Sequence, residues 1–242
     1  MIALRKFELF EAAASLLYPP VCTVCGGNTR AGEYLCDQCE TKAVRIVAPF
    51  CQQCSEPFEG AITSAFTCAN CAHRTIHFDA AVAVYRGRGV VRQIIHAFKY
   101  GRQAQLRYLV ARWLFAALDD ERLQNREFDM IVPVPLHPAR QRERGFNQAA
   151  LLADLLSVRI SVRCRSMLER IRYTTTQTAF DRAERMENLH NAFRLRKNMD
   201  VRGLRVLLID DVLTTGSTLS ECARMLKRGG AASVHAAMAA RA

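Results

Sequence analysis

The chain has 242 residues, 50% hydrophobic and 24% charged, which is ordinary globular usage and excludes a fibrous or disordered protein. That length fits one large or two smaller domains. The net charge of +11 is concentrated in two blocks rich in arginine, residues 86–112 and 135–205, so phosphorylated ligands or nucleic acid are the expected partners. In chain order, residues 3–17 (ALRKFELFEAAASLL) read as an amphipathic helix ending at Tyr18-Pro19-Pro20. Arg5 and Lys6 resemble the basic start of a secretory signal, but Glu8 and Glu11 interrupt the apolar stretch that should follow. The longest charge-free run, residues 12–29, contains Pro19-Pro20 and Gly26-Gly27 and is not a membrane span. A soluble cytoplasmic protein is expected.

A cysteine module follows. Cys22/Cys25, Cys36/Cys39, Cys51/Cys54 and Cys68/Cys71 form four C-x-x-C pairs. Without an export signal a disulfide framework is disfavoured, and paired knuckles are how four thiolates reach one tetrahedral zinc. The spacing favours two sequential four-cysteine sites, a double zinc ribbon, although a cross-braced pairing of knuckle one with three and two with four is open. His73 and His77 could each replace a sulfur, but the cysteine count is already complete. Each Zn²⁺ (one or two ions) is read as structural, because a closed shell of thiolates leaves no place for water or substrate. Large apolar residues are scarce there, so zinc would supply much of the folding energy. Cys164 and Cys222 stand alone and are read as small packed hydrophobes.

Beyond the ribbon, residues 78–85 (FDAAVAVY) suggest a strand. Residues 90–100 have helical periodicity through Val91, Ile94, Ile95 and Phe98, with Gly101 as the stop. Residues 104–118 form a second expected helix with Trp113 on its buried face. A short strand over residues 130–134 runs into Pro133, Pro135 and Pro138, and residues 147–156 are helical. Residues 172–191 are polar and read as a mobile loop, and residues 193–196 as a strand. Residues 204–209 are a buried strand, residues 217–228 a helix stopped by Gly229-Gly230, and residues 232–239 the last strand. Strands alternating with helices imply an α/β protein with a parallel sheet flanked by helices, preceded by the small zinc-ribbon module. The expected division is residues 1–19 for the helix, 20–76 for the ribbon and 77–242 for the α/β domain.

The most informative stretch is residues 206–218, VLLIDDVLTTGST. An apolar strand ends at two acids, and a turn of Thr, Gly and Ser opens a helix. Unpaired N–H groups and hydroxyls at a helix N-terminus make a phosphate cradle. A Walker A loop is excluded because no G-x-x-x-x-G-K-[ST] is present. Acids just before the cradle can reach vicinal hydroxyls of the sugar that carries the phosphate, so a phosphorylated ribose is the natural ligand.

Ile209-Asp210-Asp211 followed by Thr214-Thr215-Gly216-Ser217-Thr218 resembles the phosphoribosyl pyrophosphate (PRPP) motif of type I phosphoribosyltransferases. Phe98-Lys99-Tyr100-Gly101, the block VPVPLHPARQRERGFNQA at 132–149, and residues 172–193 narrow the match. Together with the ribbon they are similar to the ComF family, from about Leu16 to Arg241. The resemblance implies that Asp210 and Asp211 bind the ribose hydroxyls, directly or through Mg²⁺, and that Thr214, Thr215, Gly216, Ser217 and Thr218 hold the 5′-phosphate. It places the pyrophosphate loop at residues 132–135, with Val134 and Pro135. Arg140, Arg142 and Arg144 would supply charge there, Lys99 is a further candidate, and Arg144 joins the two aspartates as a catalytic candidate. Residues 172–191 would close over PRPP. His137 is the nearest candidate base, with a cap or packing role as its alternative. The implied role is PRPP binding in DNA uptake, handling single-stranded DNA beside a competence helicase or another uptake protein. The alternatives are a non-catalytic ribbon scaffold, a nucleic-acid-binding protein that docks such a helicase, and a GntX-like role in carbohydrate use.

Overall fold

The computed structural model describes residues 20–60, 65–172 and 191–242; the helix expected over residues 3–17 and the loop expected over residues 172–191, save its ends, lie outside them. The strands are β1 (Ala80–Arg86), β2 (Met130–Pro133), β3 (Leu168–Arg170), β4 (Phe193–Leu195), β5 (Arg205–Leu213) and β6 (Ser233–Arg241). The helices are α1 (Asp37–Glu40), α2 (Ala69–Ala72), α3 (Gly89–Tyr100), α4 (Arg107–Phe115), α5 (Glu121–Gln124), α6 (Pro138–Arg144), α7 (Gln148–Ile160) and α8 (Ser217–Arg228).

Four strands form one parallel sheet in the order β1-β6-β5-β2, while β3 and β4 pair antiparallel beside it. The pleat sorts side chains by alternation. Val82, Val84, Leu207, Ile209, Ala237 and Ala239 face α3, α4 and α7 in one core. Ala81, Ala83, Val206, Leu208, Ala236 and Met238 face α8 and the β3–β4 pair in the other. Helices cover both faces, as an all-parallel sheet requires. The chain leaves β2 toward α7 on one face and leaves β5 toward α8 on the opposite face, so a crevice opens between these neighbouring strands at their carboxyl ends. Open α/β sheets bind ligands at such a switch point.

The two ribbons straddle the β1 edge. Cys22, Leu35 and Cys39 join the first core, whereas Cys51, Cys54 and Cys71 join the second. The segment between them caps the edge strand: Ile46 N–H donates to the Val84 carbonyl (2.8 Å) and Arg86 N–H to the Val44 carbonyl (2.8 Å). Ser55, fully buried, accepts from Ala83 N–H and donates to the Ala81 carbonyl. Arg122 from α5 pairs with Asp120 and donates to the Cys51 and Gln52 carbonyls and to Ser55 Oγ. A buried guanidinium is tolerable only when its donors are met in this way.

Several sequence expectations are corrected. The strand at 204–209 runs on to Leu213, so the two acids sit inside β5; Val212 and Leu213 still pair with Ala240 and Arg241 of β6. The proline run after β2 does not simply end a strand. Pro138 occupies the first turn of α6, where its missing N–H costs nothing, and His137 caps that helix through Nδ1, which accepts from Ala139 N–H at 3.2 Å. The expected helix over 104–118 is divided into α4 and 3-10 turns at Ala104–Leu106 and Ala116–Asp119, the second of which tucks Ala117 into the core. The strand β3 has only three residues, too few for alternation to register, and β4 pairs with it outside the main sheet.

Candidate functional site

The eight ribbon cysteines gather into two tight groups. Cys22, Cys25, Cys36 and Cys39 form one cluster, Cys51, Cys54, Cys68 and Cys71 another, with all candidate ligand atoms of a cluster within 4.8 Å of one another. The pairing is therefore sequential. Tetrahedral zinc with bonds near 2.3 Å places sulfurs ~3.8 Å apart. Cys25 Sγ and Cys36 Sγ are 3.6 Å apart, as are Cys54 Sγ and Cys68 Sγ. The knuckle geometry also appears in Cys68 N–H, which donates to Cys51 Sγ at 3.3 Å. The chemistry and spacing fit two structural Zn²⁺ sites; neither His73 nor His77 belongs to a cluster.

At the carboxyl ends of β2 and β5 a cavity of about 230 Å³ opens. It is lined by Lys99, Val134, Pro135, Arg140, Arg144, Asp210, Asp211, Thr214, Gly216 and Thr218, together with Tyr100, Asn147, Gln148 and Arg170. The floor is anionic. Asp211, buried, pairs with Lys99 Nζ at 3.0 Å. Its N–H donates to Asp210 Oδ1 at 2.9 Å. Burial first, and the Asp211 charge second, push the Asp210 carboxyl up to about 7, with Lys99 acting in the opposite sense. Cys222 lies buried nearby, its thiol raised by burial and by Asp210, which fits its reading as a packed hydrophobe.

The wall from β2 is cationic. Val134 N–H donates to the Ile209 carbonyl (2.9 Å), and Asn147 Nδ2 donates to the Val134 carbonyl (3.1 Å), so the loop is fastened to both β5 and the start of α7. Arg144 donates to Gln148 Oε1 and to the Tyr100 hydroxyl, both at 3.1 Å, and its guanidinium lies 4.8 Å over the Tyr100 ring. Arg170, the last residue of β3, stacks on Phe193 and is lowered in pKa by burial and by the charge of Arg140. Arg142 is exposed on α6 and does not line the cavity. Burial and the charges of Arg170, Arg142 and Arg140 lower the His137 imidazole, whose Nδ1 is already engaged as a cap.

The third side is the turn 214–216. Gly216 has φ of +75°, a conformation glycine adopts without strain, and it caps α8. The first-turn N–H groups of a helix have no partner within it and carry the positive end of its dipole. Thr214, Gly216 and Thr218 line the cavity. The hydroxyls of Thr215 and Ser217 instead meet each other at 3.0 Å. Ser217 Oγ also accepts from Arg74 Nη1 at 3.3 Å. Tyr100, Asn147, Gln148 and Arg170 line the site beyond the expected set. Three of them stand inside the FKYG and RGFNQ blocks, whereas Arg170 left no pattern in the sequence.

A parallel sheet with a Thr-Gly-Ser turn after one central strand, a basic loop after its neighbour and a doubled zinc ribbon define a phosphoribosyltransferase-type α/β protein. The comparisons agree: a phosphoribosyl transferase domain matches residues 102–242 and a double zinc ribbon domain residues 13–76. Competence protein F of Haemophilus influenzae is 33% identical over 86% of this chain and 91% of its own length. DNA utilization protein YhgH of Escherichia coli K12 is 34% identical over 90% of this chain and 96% of its own. Competence protein ComFC of Bacillus subtilis is 28% identical over 84% and 82%. The chain belongs to this ComF family of phosphoribosyltransferase-domain proteins.

Proposed function

We propose that this protein binds PRPP with Mg²⁺ and acts in DNA uptake by handling single-stranded DNA in the cytoplasm, with a phosphoribosyl transfer chemistry whose acceptor is open. The observation that carries the reading is one cavity in which two carboxylates of β5, a helix N-terminus and the cationic wall of Arg140, Arg144 and Arg170 converge. Each part answers one group of a pyrophosphorylated ribose phosphate. The first turn of α8, with Thr214 and Thr218, would receive the 5′-phosphate. Asp210 and Asp211 would receive the ribose hydroxyls. Residues 134–135 and the arginines would receive the pyrophosphate, whose charge grows as it departs.

The carboxylate oxygens suit a hard cation, and Lys99 tempers their repulsion by pairing with Asp211. Bound with PRPP, Mg²⁺ would neutralise charge on the leaving pyrophosphate. Arg144 would be a catalytic residue by the same criterion, fixed by Gln148 and Tyr100 before ligand arrives. Among the described residues, the two aspartates are the only carboxylates that line the cavity, and His137 serves α6 as its cap.

The DNA side of the reading is supported by exposed Tyr100 at the cavity mouth, 56% exposed, flanked by His96 with ring centroids 4.8 Å apart. An exposed ring beside arginines suits an unstacked base. Docking of a helicase or another uptake protein is a part of the same proposal that ribbon mutants can separate from ligand binding.

Calorimetry with PRPP and magnesium tests the core. Wild type gives saturable binding, while Asp210→Asn and Asp211→Asn each lose at least roughly tenfold in affinity, as expected for charge-assisted contacts. A flat trace from zinc-loaded, folded wild type overturns the reading. Labelled PRPP offered with bases and oligonucleotides then reads pyrophosphate release.

A further inference from the structure

The phosphate turn is not held by the α/β domain alone. Arg74, three residues past the ligand Cys71, donates through Nη2 to the Thr215 carbonyl and through Nη1 to Ser217 Oγ at 3.3 Å. Asn70, which lies between the ligands Cys68 and Cys71, donates through Nδ2 to the same carbonyl at 3.4 Å. Three residues past Arg74, His77 N–H donates to Ser220 Oγ at 3.2 Å in the first turn of α8. A Cβ built on Gly216 would stand 3.1 Å from Arg74 Nη2, so the guanidinium lies directly behind the glycine.

We infer that Arg74, with Asn70, is a positioning residue for phosphate binding, and that the second zinc ribbon is the back support of the phosphate turn. The inference rests on the proposed reading of the cavity as a sugar-phosphate site. A trans peptide points its C=O and the following N–H in opposite directions. Drawing the Thr215 carbonyl toward the ribbon therefore turns the Gly216 N–H away from it, and Gly216 lines the cavity. Two donors on one carbonyl fix that peptide plane before any anion arrives. The Arg74 charge behind the turn adds to the positive end of the α8 dipole.

The zinc link follows from sequence position. Cys68 precedes α2 as its cap and Cys71 lies within it, so the metal that gathers those thiolates also sets where Asn70 and Arg74 project. α2 has only four residues, too few to hold a shape by its own hydrogen bonds. Cys71, Phe78, Leu213 and Leu219 share one core, which ties the ribbon, the end of β5 and the start of α8 into a single packed unit. The first ribbon has no such bond to the turn among the described residues.

Two measurements test this. Ligand-free hydrogen exchange reads the turn itself: Arg74→Ala speeds exchange of the amides of residues 214–219 and leaves those of α3 and α7 unchanged. Calorimetry reads the consequence: Arg74→Ala weakens ribose 5-phosphate and PRPP by roughly tenfold, leaves pyrophosphate binding as in wild type, and keeps two zinc ions per chain. Arg74→Lys, which retains the charge and one donor, recovers part of the loss, and Asn70→Ala shows a smaller one. Arg74→Ala with wild-type exchange and wild-type ribose 5-phosphate affinity overturns the inference, as does an equal loss for pyrophosphate. Wild type that binds no PRPP defeats the reading of the cavity instead, and the exchange result then still decides whether Arg74 orders the turn.

Discussion

At the residue scale, Asp210 is a carboxyl at odds with its surroundings. Burial and the neighbouring Asp211 raise its pKa from 3.8 to about 7. A carboxyl whose pKa is raised by folding binds its proton more tightly in the fold than in the unfolded chain. Its contribution to stability is complete below pH ~4 and is lost as pH rises through about 7. Asp210→Asn removes that loss. In magnesium-free buffer the variant and wild type should melt alike at pH 4, and the variant should melt ~5 °C higher at pH 8. Equal melting temperatures across that range would contradict the assignment. On the proposed reading, a cation bound with the ligand would offset the repulsion between the two carboxylates. Asp210 and Asp211 are readable in the sequence because they are adjacent and end an apolar run. Lys99, the partner of Asp211, is 112 positions away and carries no local mark beyond the FKYG block.

At the scale of elements, the two ribbons look equivalent in sequence and differ in the fold. The first contributes Cys22, Leu35 and Cys39 to a core otherwise built from α3, α4 and α7, and its Cys25 is exposed. The second places Cys51, fully buried, against the sheet, is clamped by Arg122, and receives Arg241 from the end of β6 on Glu56. Cys25→Ser and Cys54→Ser should each release one zinc. Loss of the first should leave the main melting transition within ~3 °C, whereas loss of the second should lower it by more than ~10 °C, since metal ligation there is folding free energy for the sheet edge as well. Calorimetric melting with zinc analysis checks both, and equal destabilisation would refute the distinction. The strands β1, β5 and β6 and the helices α3 and α8 are legible in the sequence because apolar periodicity repeats over seven or more residues in each. The helix α6 and the strand β3 are not, whereas β4 is read from residues 193–196. A proline run masks the first, and β3 carries a single apolar residue, Leu168, too little for a period.

At the scale of the whole molecule, part of the positive charge gathers at one cavity, through Lys99, Arg140, Arg144 and Arg170. Arg92 is exposed on α3 and Arg102 two residues beyond Tyr100, while Arg140 and Arg144 of α6 line the cavity that Tyr100 also lines. If single-stranded DNA follows this face, about four phosphate contacts give a slope of log affinity on log salt near −3. Arg92→Ala and Arg102→Ala should each reduce that slope by about one, while Tyr100→Ala should weaken binding roughly tenfold with the slope unchanged. Fluorescence anisotropy over a salt series measures all three, and binding insensitive to salt would exclude this face. No helix among the described residues is long and apolar enough to cross a membrane. By itself the sequence determined the two four-cysteine clusters and the Thr-Gly-Ser turn that opens α8 after two acids, because each is built from groups only a few residues apart and is written in local spacing. Only the tertiary structure decided that Lys99, Arg170 and Arg74 meet that turn and its acids, because those contacts depend on how a sheet edge, a helix end and a zinc knuckle pack together.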